Sequence, residues 1–328
     1  MLNIGVIGTG YLGQHHARIY SELGSELGNV RLVGVVDADI NRAKEVSNKY
    51  GCDAFSDYKA IINKVDALSI VTPTTMHYQM ALDCIKAGKD ILIEKPITVT
   101  VEEANELIDA SDKAGTIIQV GHLERFNPVF TTMCALISKP VFIETERLSP
   151  FLGRGIDVDI TLDLMIHDID IVLALMRQSS DSDNGGRSRE SGEIMRIKDI
   201  KAAGTKMLTN NIDIAMAWFE FDNGVQVLMK ASRVSPEKLR RMSIFQDNSY
   251  LLVDYQDMYI KKFFQQDKEN LIGEEIISIE RKEPLKEELR DFIKCVISRR
   301  RPLVSAVEGR DALKIALQIN SAIEQVSK

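Results

Sequence analysis

The chain has 328 residues, 45% of them hydrophobic, with a formal net charge of −7 and a pI near 5.4. That length exceeds what one hydrophobic core usually spans, so two domains are expected. The acidic balance excludes a global basic surface, and we therefore expect neither nucleic acid nor an anionic membrane as a partner.

The N-terminal residues and the cysteines indicate in which cellular compartment the protein is expected. The opening residues, MLNIGVIG, lack the cationic start of a signal peptide, and no apolar run approaches the length of a membrane span. Four scattered cysteines without a Cys-x-x-Cys pair suggest a reducing compartment and no zinc site. We expect a soluble cytoplasmic protein without a metal centre.

Short apolar runs alternate with helical patterns along the first 120 residues. The predicted strands are Asn3–Ile7, Arg31–Val36, Ala67–Val71, Asp90–Ile93 and Ile117–Val120. Helical segments between them stop at Gly51, Gly88 and Gly115, and Thr100 with Glu103 has the spacing of a capping box. This alternation predicts a doubly wound parallel sheet of the Rossmann type over residues 1–121.

A glycine-rich run, Gly8-x-Gly10-x-x-Gly13, joins the first strand to the first helical segment. Alone it could be a tight turn without a ligand, but the strand before it and the helix after it favour a dinucleotide site. Asp37 ends the next strand, where a carboxylate binds ribose hydroxyls and repels a 2′-phosphate. NAD is therefore favoured over NADP, although Arg42 could accommodate that phosphate.

Two further segments carry groups suited to chemistry. Lys95 directly follows an apolar strand, at the sheet edge where ligands of such folds bind, although a surface lysine is the alternative. Asp163 and His167 are four residues apart in the predicted helix Thr161–Arg177, where a carboxylate beside an imidazole suits a general base. An ordinary helix-surface contact remains the alternative for this pair.

After residue 121 the pattern changes to alternating strands followed by two helices. The predicted strands are Asn211–Phe221, Val225–Ser232, Arg240–Phe245 and Tyr250–Asp254, and the helices are Leu285–Arg299 and Val307–Val326. Asp222-Asn223-Gly224 predicts a hairpin with a type I′ turn, and Ile212, Ile214, Met216 and Trp218 are expected on a buried face. Residues 122–328 are thus an α+β domain, with a mobile surface loop at 179–192.

The motifs occur together in an order that resembles the Gfo/Idh/MocA oxidoreductases over essentially the whole chain. They are Gly8-x-Gly10-x-x-Gly13, Thr72-Pro73 with His77, Glu94-Lys95-Pro96, GHLERFNP at Gly121–Pro128 and Asp163-x-x-x-His167. The resemblance implies a Rossmann domain followed by a domain with a large, open, mainly antiparallel sheet. That sheet often forms an oligomer interface in the family, so a homodimer or homotetramer is expected.

The resemblance also implies the functional residues. Lys95, Asp163 and His167 match the catalytic trio, in which the histidine moves the proton of a reacting hydroxyl while hydride passes to or from nicotinamide. The residues expected to hold the cofactor are Gly8, Thr9, Gly10, Tyr11, Leu12, Gly13, Asp37, Arg42, Thr72, Pro73, His77, Glu94 and Lys95. One departure is DVDITLD at 157–163, where many relatives have a glycine-rich run.

The substrate is expected to be a sugar or a nucleotide sugar. Three arginines near the motifs, Arg125, Arg147 and Arg154, could clamp a diphosphate, although salt bridges would explain them equally well. Lys95, Asp163 and His167 are also expected to contact the substrate, at its reacting hydroxyl. The chain looks most like the nucleotide-sugar branch of the family, which implies oxidation at C3 of a UDP-N-acetylglucosamine-like sugar. Alternatives are a free sugar or inositol dehydrogenase, an NAD-assisted glycosidase and an NAD-binding regulator.

Overall fold

The computed structural model describes residues 1–153, 155–156, 158–183, 196–266 and 271–326. Two compact units divide the chain: the first unit is Met1–Phe126 with Glu283–Leu313, and the second unit is Asn127–Lys282 with Lys314–Lys328. Within the described ranges, no helix combines the length and the apolar character needed to cross a membrane.

Six parallel strands form the sheet of the first unit, in the order β3-β2-β1-β4-β5-β6. They are β1 Leu2–Ile7, β2 Val30–Val36, β3 Asp53–Phe55, β4 Ala67–Ile70, β5 Asp90–Glu94 and β6 Ile118–Gly121. Strands β4 and β5 are buried along their whole length, as the continuous apolar runs predict. The doubly wound parallel sheet is confirmed, and β3 is a short strand that the sequence pattern missed.

Helices connect these strands. They are α1 Gly13–Leu27, α2 Ile40–Tyr50, α3 Lys59–Ile62, α4 Thr74–Lys86 and α5 Val101–Ala114. Thr100 and Glu103 form the predicted capping box, each side chain accepting a hydrogen bond from the other residue's backbone N–H. A later helix, α8 Pro284–Ser298, packs into the core of the same unit through Leu289 and Phe292. Its burial explains why residues 283–313 belong to the first unit.

An eight-stranded sheet forms the second unit, in the order β14-β13-β12-β11-β7-β10-β9-β8. The strands are β7 Pro140–Leu148, β8 Ile197–Thr205, β9 Ile214–Phe221, β10 Gln226–Ser232, β11 Leu239–Gln246, β12 Ser249–Asp254, β13 Tyr259–Gln266 and β14 Leu271–Ser278. Only the β7–β10 pair is parallel among these pairings, which confirms a large and mainly antiparallel sheet.

The helices of the second unit differ from the prediction in detail. They are α6 Pro128–Leu136, a π-helical turn at Thr161–Met165, and α7 Ile166–Asp183; a last helix, α9 Ala306–Val326, continues from the first unit into the second. Because α7 extends to Asp183, the predicted loop at 179–192 is wrong for its first five residues. The rest of that loop lies outside the described residues.

Two predictions about β9 and its hairpin are wrong. Met216 and Trp218 are 45% and 39% exposed, while the alternate residues Ala217 and Phe219 are buried. The hairpin to β10 forms, but at its turn only Gly224 has a positive φ, of 88°, so the turn is not type I′. The reason for the error is that β9 is apolar at nearly every position, so its pattern alone does not distinguish the buried face from the exposed one.

Candidate active site

The loop between β1 and α1 shows which glycines serve the fold. Gly8 has a φ of 94°, and a Cβ atom there would lie 2.2 Å from the Val71 carbonyl oxygen. A Cβ atom on Gly13 would lie 1.9 Å from the carbonyl oxygen of Gly8. At Gly10, by contrast, no described atom lies within 4 Å of an added Cβ. The loop is therefore tightly packed on its protein side and open above Gly10, where a phosphate can approach the start of α1.

Asp37 lies beside this loop, at the end of β2. Its carboxylate accepts hydrogen bonds from the Thr9 backbone N–H at 2.9 Å and the Thr9 hydroxyl at 2.8 Å, and from the Asp39 N–H at 3.0 Å. Partial burial would raise the pKa of Asp37, but these donors and the Arg42 guanidinium, 3.8 Å away, hold it below its usual value. A carboxylate fixed and charged at this position suits ribose hydroxyls and opposes a 2′-phosphate.

These residues together fit a dinucleotide. Tyr11 is 64% exposed in this loop, and Leu12, the N-cap of α1, makes no side-chain capping hydrogen bond, so an anion can bind at this helix N-terminus. When bound, NAD supplies a nicotinamide that accepts or returns hydride. The loop residues Gly8–Gly13 and Asp37 would hold its pyrophosphate and its adenosine ribose.

His77 on α4 is buried and has a structural role. Its Nδ1 lies 2.9 Å from the Pro96 carbonyl oxygen, and its Nε2 lies 2.8 Å from the Thr72 carbonyl oxygen. Burial lowers the pKa of His77, against the effect of these carbonyl oxygens. The ring therefore ties the turn after β4, which contains Pro73, to the segment after β5.

Lys95 follows β5 at the carboxyl edge of the parallel sheet and is half-buried, and its peptide bond to Pro96 is cis. The preceding residue, Glu94, is buried, and one of its oxygens accepts a hydrogen bond from the Lys95 N–H at 3.2 Å. The other oxygen lies 3.3 Å from Nε2 of His16, which is completely buried on α1. No motif or spacing in the sequence indicates this contact between His16 and Glu94.

Asp163 and His167 belong to the second unit, in the segment where the π-helical turn passes into α7. Asp163 lies in the turn Thr161–Met165 and is half-buried, and His167 is 9% exposed in the first turn of α7. The predicted helical segment from residue 161 is therefore present, but it begins with a π-helical turn before the α-helix. A π-helical turn adds a residue to the helical repeat and is frequent at functional sites.

Gly155 supports the Asp163 carboxylate. A Cβ atom on Gly155 would lie 2.7 Å from Asp163 Oδ2, and both Gly153 and Gly155 have positive φ angles, of 65° and 64°. In the sequence, DVDITLD stands where many relatives have a glycine-rich run, but two glycines, Gly153 and Gly155, lie shortly before that stretch. They were the signal available in the sequence, and they allow the backbone to approach the carboxylate closely.

A buried arginine holds this loop in place, and sequence reasoning missed it. Arg233 donates from Nη1 to the Gly155 carbonyl oxygen and from Nη2 to that of Val158, both at 2.7 Å. Its Nε lies 3.7 Å from the buried carboxylate of Asp213. Arg233 and Asp213 therefore fix the backbone that precedes the π-helical turn. Neither residue lies in a motif, because their role depends on contacts between the end of the β9–β10 hairpin and a loop distant in sequence.

The three arginines expected at the substrate have different surroundings. Arg147 is buried and binds Asp168 of α7 with Nε 3.1 Å from both carboxylate oxygens and Nη2 2.7 Å from Oδ1. Arg125 lies in a 3-10 helix, Leu123–Phe126, and is 8% exposed. Arg154 lies outside the described residues. The bidentate pair assigns Arg147 to fastening β7 to α7.

Comparison with known proteins connects both units to one family. Residues 2–122 match the family Gfo/Idh/MocA, described as an oxidoreductase family with an NAD-binding Rossmann fold. The chain is 33% identical to UDP-N-acetylglucosamine 3-dehydrogenase of Acidithiobacillus ferrooxidans, over 98% of this chain and 97% of that protein. It is 30% identical to scyllo-inositol 2-dehydrogenase (NAD⁺) of Bacillus subtilis, over 70% of this chain and 67% of that protein.

Solved structures extend the similarity to the fold. A crystal form of the Acidithiobacillus ferrooxidans enzyme superimposes with a TM-score of 0.86, covering 99% of this chain and 98% of that one at 33% identity. A levoglucosan dehydrogenase in complex with NADH and levoglucosan superimposes with a TM-score of 0.84 over 99% of this chain and 97% of that one. At 17% identity, this second match concerns the fold alone.

Proposed function

Since the chain belongs to the Gfo/Idh/MocA family of NAD-binding oxidoreductases, we propose that it oxidises C3 of a UDP-amino sugar such as UDP-N-acetylglucosamine. The observation that carries this substrate is the 33% identity to a UDP-N-acetylglucosamine 3-dehydrogenase across 98% of the chain. That similarity includes the second unit, which contains Asp163 and His167. Bound NAD would supply the acceptor for the hydride of the carbon that bears the hydroxyl.

Three side chains share the remaining chemistry in this proposal. His167 takes the proton of the reacting hydroxyl, since a buried imidazole next to a carboxylate-bearing turn can act as a general base. Lys95 donates a hydrogen bond to the same oxygen, which stabilises the negative charge that develops there. Asp163, held against Gly155, orients the substrate.

Contacts to the nucleotide part of the substrate are also proposals. Arg125 and Arg154 are the arginines we propose for the diphosphate, because a guanidinium binds phosphate oxygens with two parallel hydrogen bonds. The pairing of Arg147 with Asp168 supports a different role for Arg147, which is to position α7 and therefore His167.

The decisive assay measures NADH formation with NAD and a panel of alcohols. We expect turnover with UDP-N-acetylglucosamine and a 3-keto product that an aminotransferase can trap. Lys95→Ala and His167→Ala should each abolish turnover and keep NADH binding, while Lys113→Ala, an exposed lysine on α5, serves as the matched control. Activity retained in Lys95→Ala or His167→Ala would contradict the proposed roles.

A second substrate class is a cyclitol, favoured by the scyllo-inositol 2-dehydrogenase relative that matches over 70% of the chain. The same assay separates the two classes, because scyllo-inositol lacks the uridine diphosphate. Turnover with scyllo-inositol and none with the UDP-sugar would replace the first proposal. Bound NAD without turnover on any alcohol would favour a regulatory protein.

We also propose that the enzyme is a homodimer or homotetramer that associates through the open sheet face of the second unit. Five aromatic side chains, the aromatic row, lie across this face: Phe142, Trp218, Phe245, Tyr250 and Phe263. Neighbouring ring centroids are 4.7–5.5 Å apart, and Trp218 and Phe245 are 39% and 37% exposed. A continuous exposed apolar surface of this kind supports a protein interface.

A further inference from the structure

Behind Lys95, the first unit contains a buried polar pair that the proposed chemistry does not use. We propose that His16 and Glu94 form a positioning pair that holds Lys95 in its catalytic geometry. This inference rests on the proposed role of Lys95 and adds residues that act through it.

The Glu94 carboxylate is directly connected to the Lys95 backbone. Its Oε2 accepts the hydrogen bond of the Lys95 N–H at 3.2 Å, so the position of the carboxylate constrains the peptide from which the Lys95 side chain starts. Gly121 of the neighbouring strand β6 leaves room for this arrangement. A Cβ atom there would lie 2.9 Å from the carboxyl carbon and from both oxygens. The carboxylate is therefore confined on the side of β6 and fixed toward Lys95.

His16 faces the same carboxylate from α1. Its side chain is completely buried, and Nε2 lies 3.3 Å from Glu94 Oε1. In the part of the chain that the structure describes, neither ring nitrogen of His16 nor Oε1 of Glu94 has a hydrogen-bond partner of good geometry. Buried polar atoms in that condition are costly, whereas an apolar side chain would fill the space without the cost. The polar contact therefore indicates a role beyond packing.

The positions of His16 and Glu94 in the first unit indicate what this role is. His16 lies one turn beyond Gly13, on the helix that begins at the phosphate loop, and Glu94 ends the strand that precedes Lys95. The pair therefore connects the cofactor loop to the catalytic lysine within one unit. On the other side, His77 of α4 contacts the Pro96 carbonyl oxygen, so the segment 94–96 is held from two helices.

The first readout is the reactivity of the Lys95 amine in the cofactor-free protein, measured by acetic anhydride labelling and peptide mass spectrometry. His16→Phe and Glu94→Gln should change the labelling rate of Lys95 and leave that of Lys113 at the wild-type value. His16→Gln, whose amide can donate to Glu94, should restore the wild-type rate. The control is Tyr20→Phe, because Tyr20 lies on the same helix as His16. This substitution removes the buried hydrogen bond between Tyr20 and Ser69 and should leave Lys95 labelling unchanged.

The second readout separates catalysis from binding. In His16→Phe, kcat should fall about tenfold while the NAD KM stays near the wild-type value, because a displaced lysine affects the chemical step. Unchanged Lys95 labelling in both His16→Phe and Glu94→Gln would overturn the proposal, and if His16→Phe does not fold, Glu94→Gln alone decides it. Labelling requires no substrate, so it tests the pair even if wild-type protein turns over no sugar and the proposed function fails.

Discussion

At the scale of single residues, Gly10 and Gly13 form a matched pair for testing the cofactor loop. Gly13→Ala should cost about 2–4 kcal/mol of folding free energy, since its Cβ would lie 1.9 Å from a carbonyl oxygen. Gly10→Ala should keep wild-type stability and raise the NADH dissociation constant about tenfold, because its methyl group occupies the space of the pyrophosphate. Thermal unfolding and NADH fluorescence titration measure the two effects.

If these effects on stability and NADH binding were not observed, the proposed roles of Gly10 and Gly13 in the cofactor loop would be wrong. If Gly10→Ala binds NADH as tightly as wild-type protein, the open space above Gly10 is not the phosphate site. If Gly13→Ala unfolds at the wild-type temperature, the close approach to Gly8 is relieved elsewhere in the loop.

Single residues could be predicted where a local rule determines them. The capping box at Thr100 and Glu103 needs only two side chains and the backbone between them, so the sequence predicts it correctly. His16 and Arg233 were missed for the opposite reason, since their partners lie 78 residues away at Glu94 and Gly155. A buried polar contact across such separations leaves no spacing in the sequence that could reveal it.

At the scale of elements, Gly153 and Gly155 separate backbone strain from support of Asp163. Replacing either by alanine forces a positive φ and should cost about 1 kcal/mol of stability. Only at Gly155 would the new methyl group lie 2.7 Å from the Asp163 carboxylate. Gly155→Ala should therefore lower kcat about tenfold, whereas Gly153→Ala should keep it near the wild-type value.

Steady-state kinetics and thermal unfolding of the two variants provide the measurement. An equal loss of kcat in Gly153→Ala and Gly155→Ala would mean that general loop strain, and not the contact with Asp163, limits activity. Comparable thermal stability of the two proteins is the control that makes this comparison valid.

A second element-scale prediction concerns the segment between β8 and β9. Burial would raise the pKa of Asp213, but the Thr209 hydroxyl and the backbone N–H groups of Met207, Leu208 and Thr209 outweigh it and lower the pKa from 3.8 to about 2. A lowered folded-state pKa stabilises the protein above the unfolded value, and this contribution is lost as the pH falls toward 2.

Wild-type protein should therefore lose about 2 kcal/mol of folding free energy through Asp213 as the pH falls from about 4 to 2. Asp213→Asn should be less stable at neutral pH, and its deficit should shrink over that range. Denaturant titrations at each pH measure this, with the exposed Asp222→Asn as control. A deficit that stays constant with pH would show that the charge of Asp213 is not what stabilises the segment.

Helices and strands could be predicted where the sequence pattern that causes them lies within the element itself. Five of the six strands of the first unit follow apolar runs, and their predicted bounds agree within about one residue, as is usual for element ends. Strands β7, β8, β13 and β14 mix charged and apolar residues, so they lack a clear alternation and were missed. The π-helical turn at Thr161–Met165 was also missed, because the regular apolar pattern there also fits an α-helix.

At the scale of the whole molecule, the sequence predicts the order of helices and strands along the chain better than it predicts which unit each of them belongs to. Helix α8 follows the second sheet in the sequence, yet its apolar face, with Leu289 and Phe292, completes the core of the first unit. Its amphipathic pattern indicates that one face is buried but contains no information about which core receives it.

The open sheet face of the second unit leads to the last prediction, which concerns assembly. Phe142, Phe245 and Tyr250 are adjacent in the aromatic row, and Trp218 and Phe245 are the members that solvent reaches most. A charged side chain in a buried interface costs free energy unless it is paired, whereas on a solvated face it costs little. Trp218→Glu and Phe245→Glu should therefore dissociate the oligomer without unfolding the subunit.

Light scattering after size-exclusion chromatography measures the mass, and circular dichroism measures the fold. We expect an oligomer for wild-type protein, a folded monomer or a smaller oligomer for the two variants, and the wild-type mass for Ile297→Glu, which alters an exposed apolar residue of α8. A monomeric wild-type protein, or variants that keep the wild-type mass, would show that the aromatic row is not the interface. Because the cost of a buried charge grows as the interface excludes water, the average mass of each variant at one protein concentration reports how far it dissociates and therefore how central the residue is.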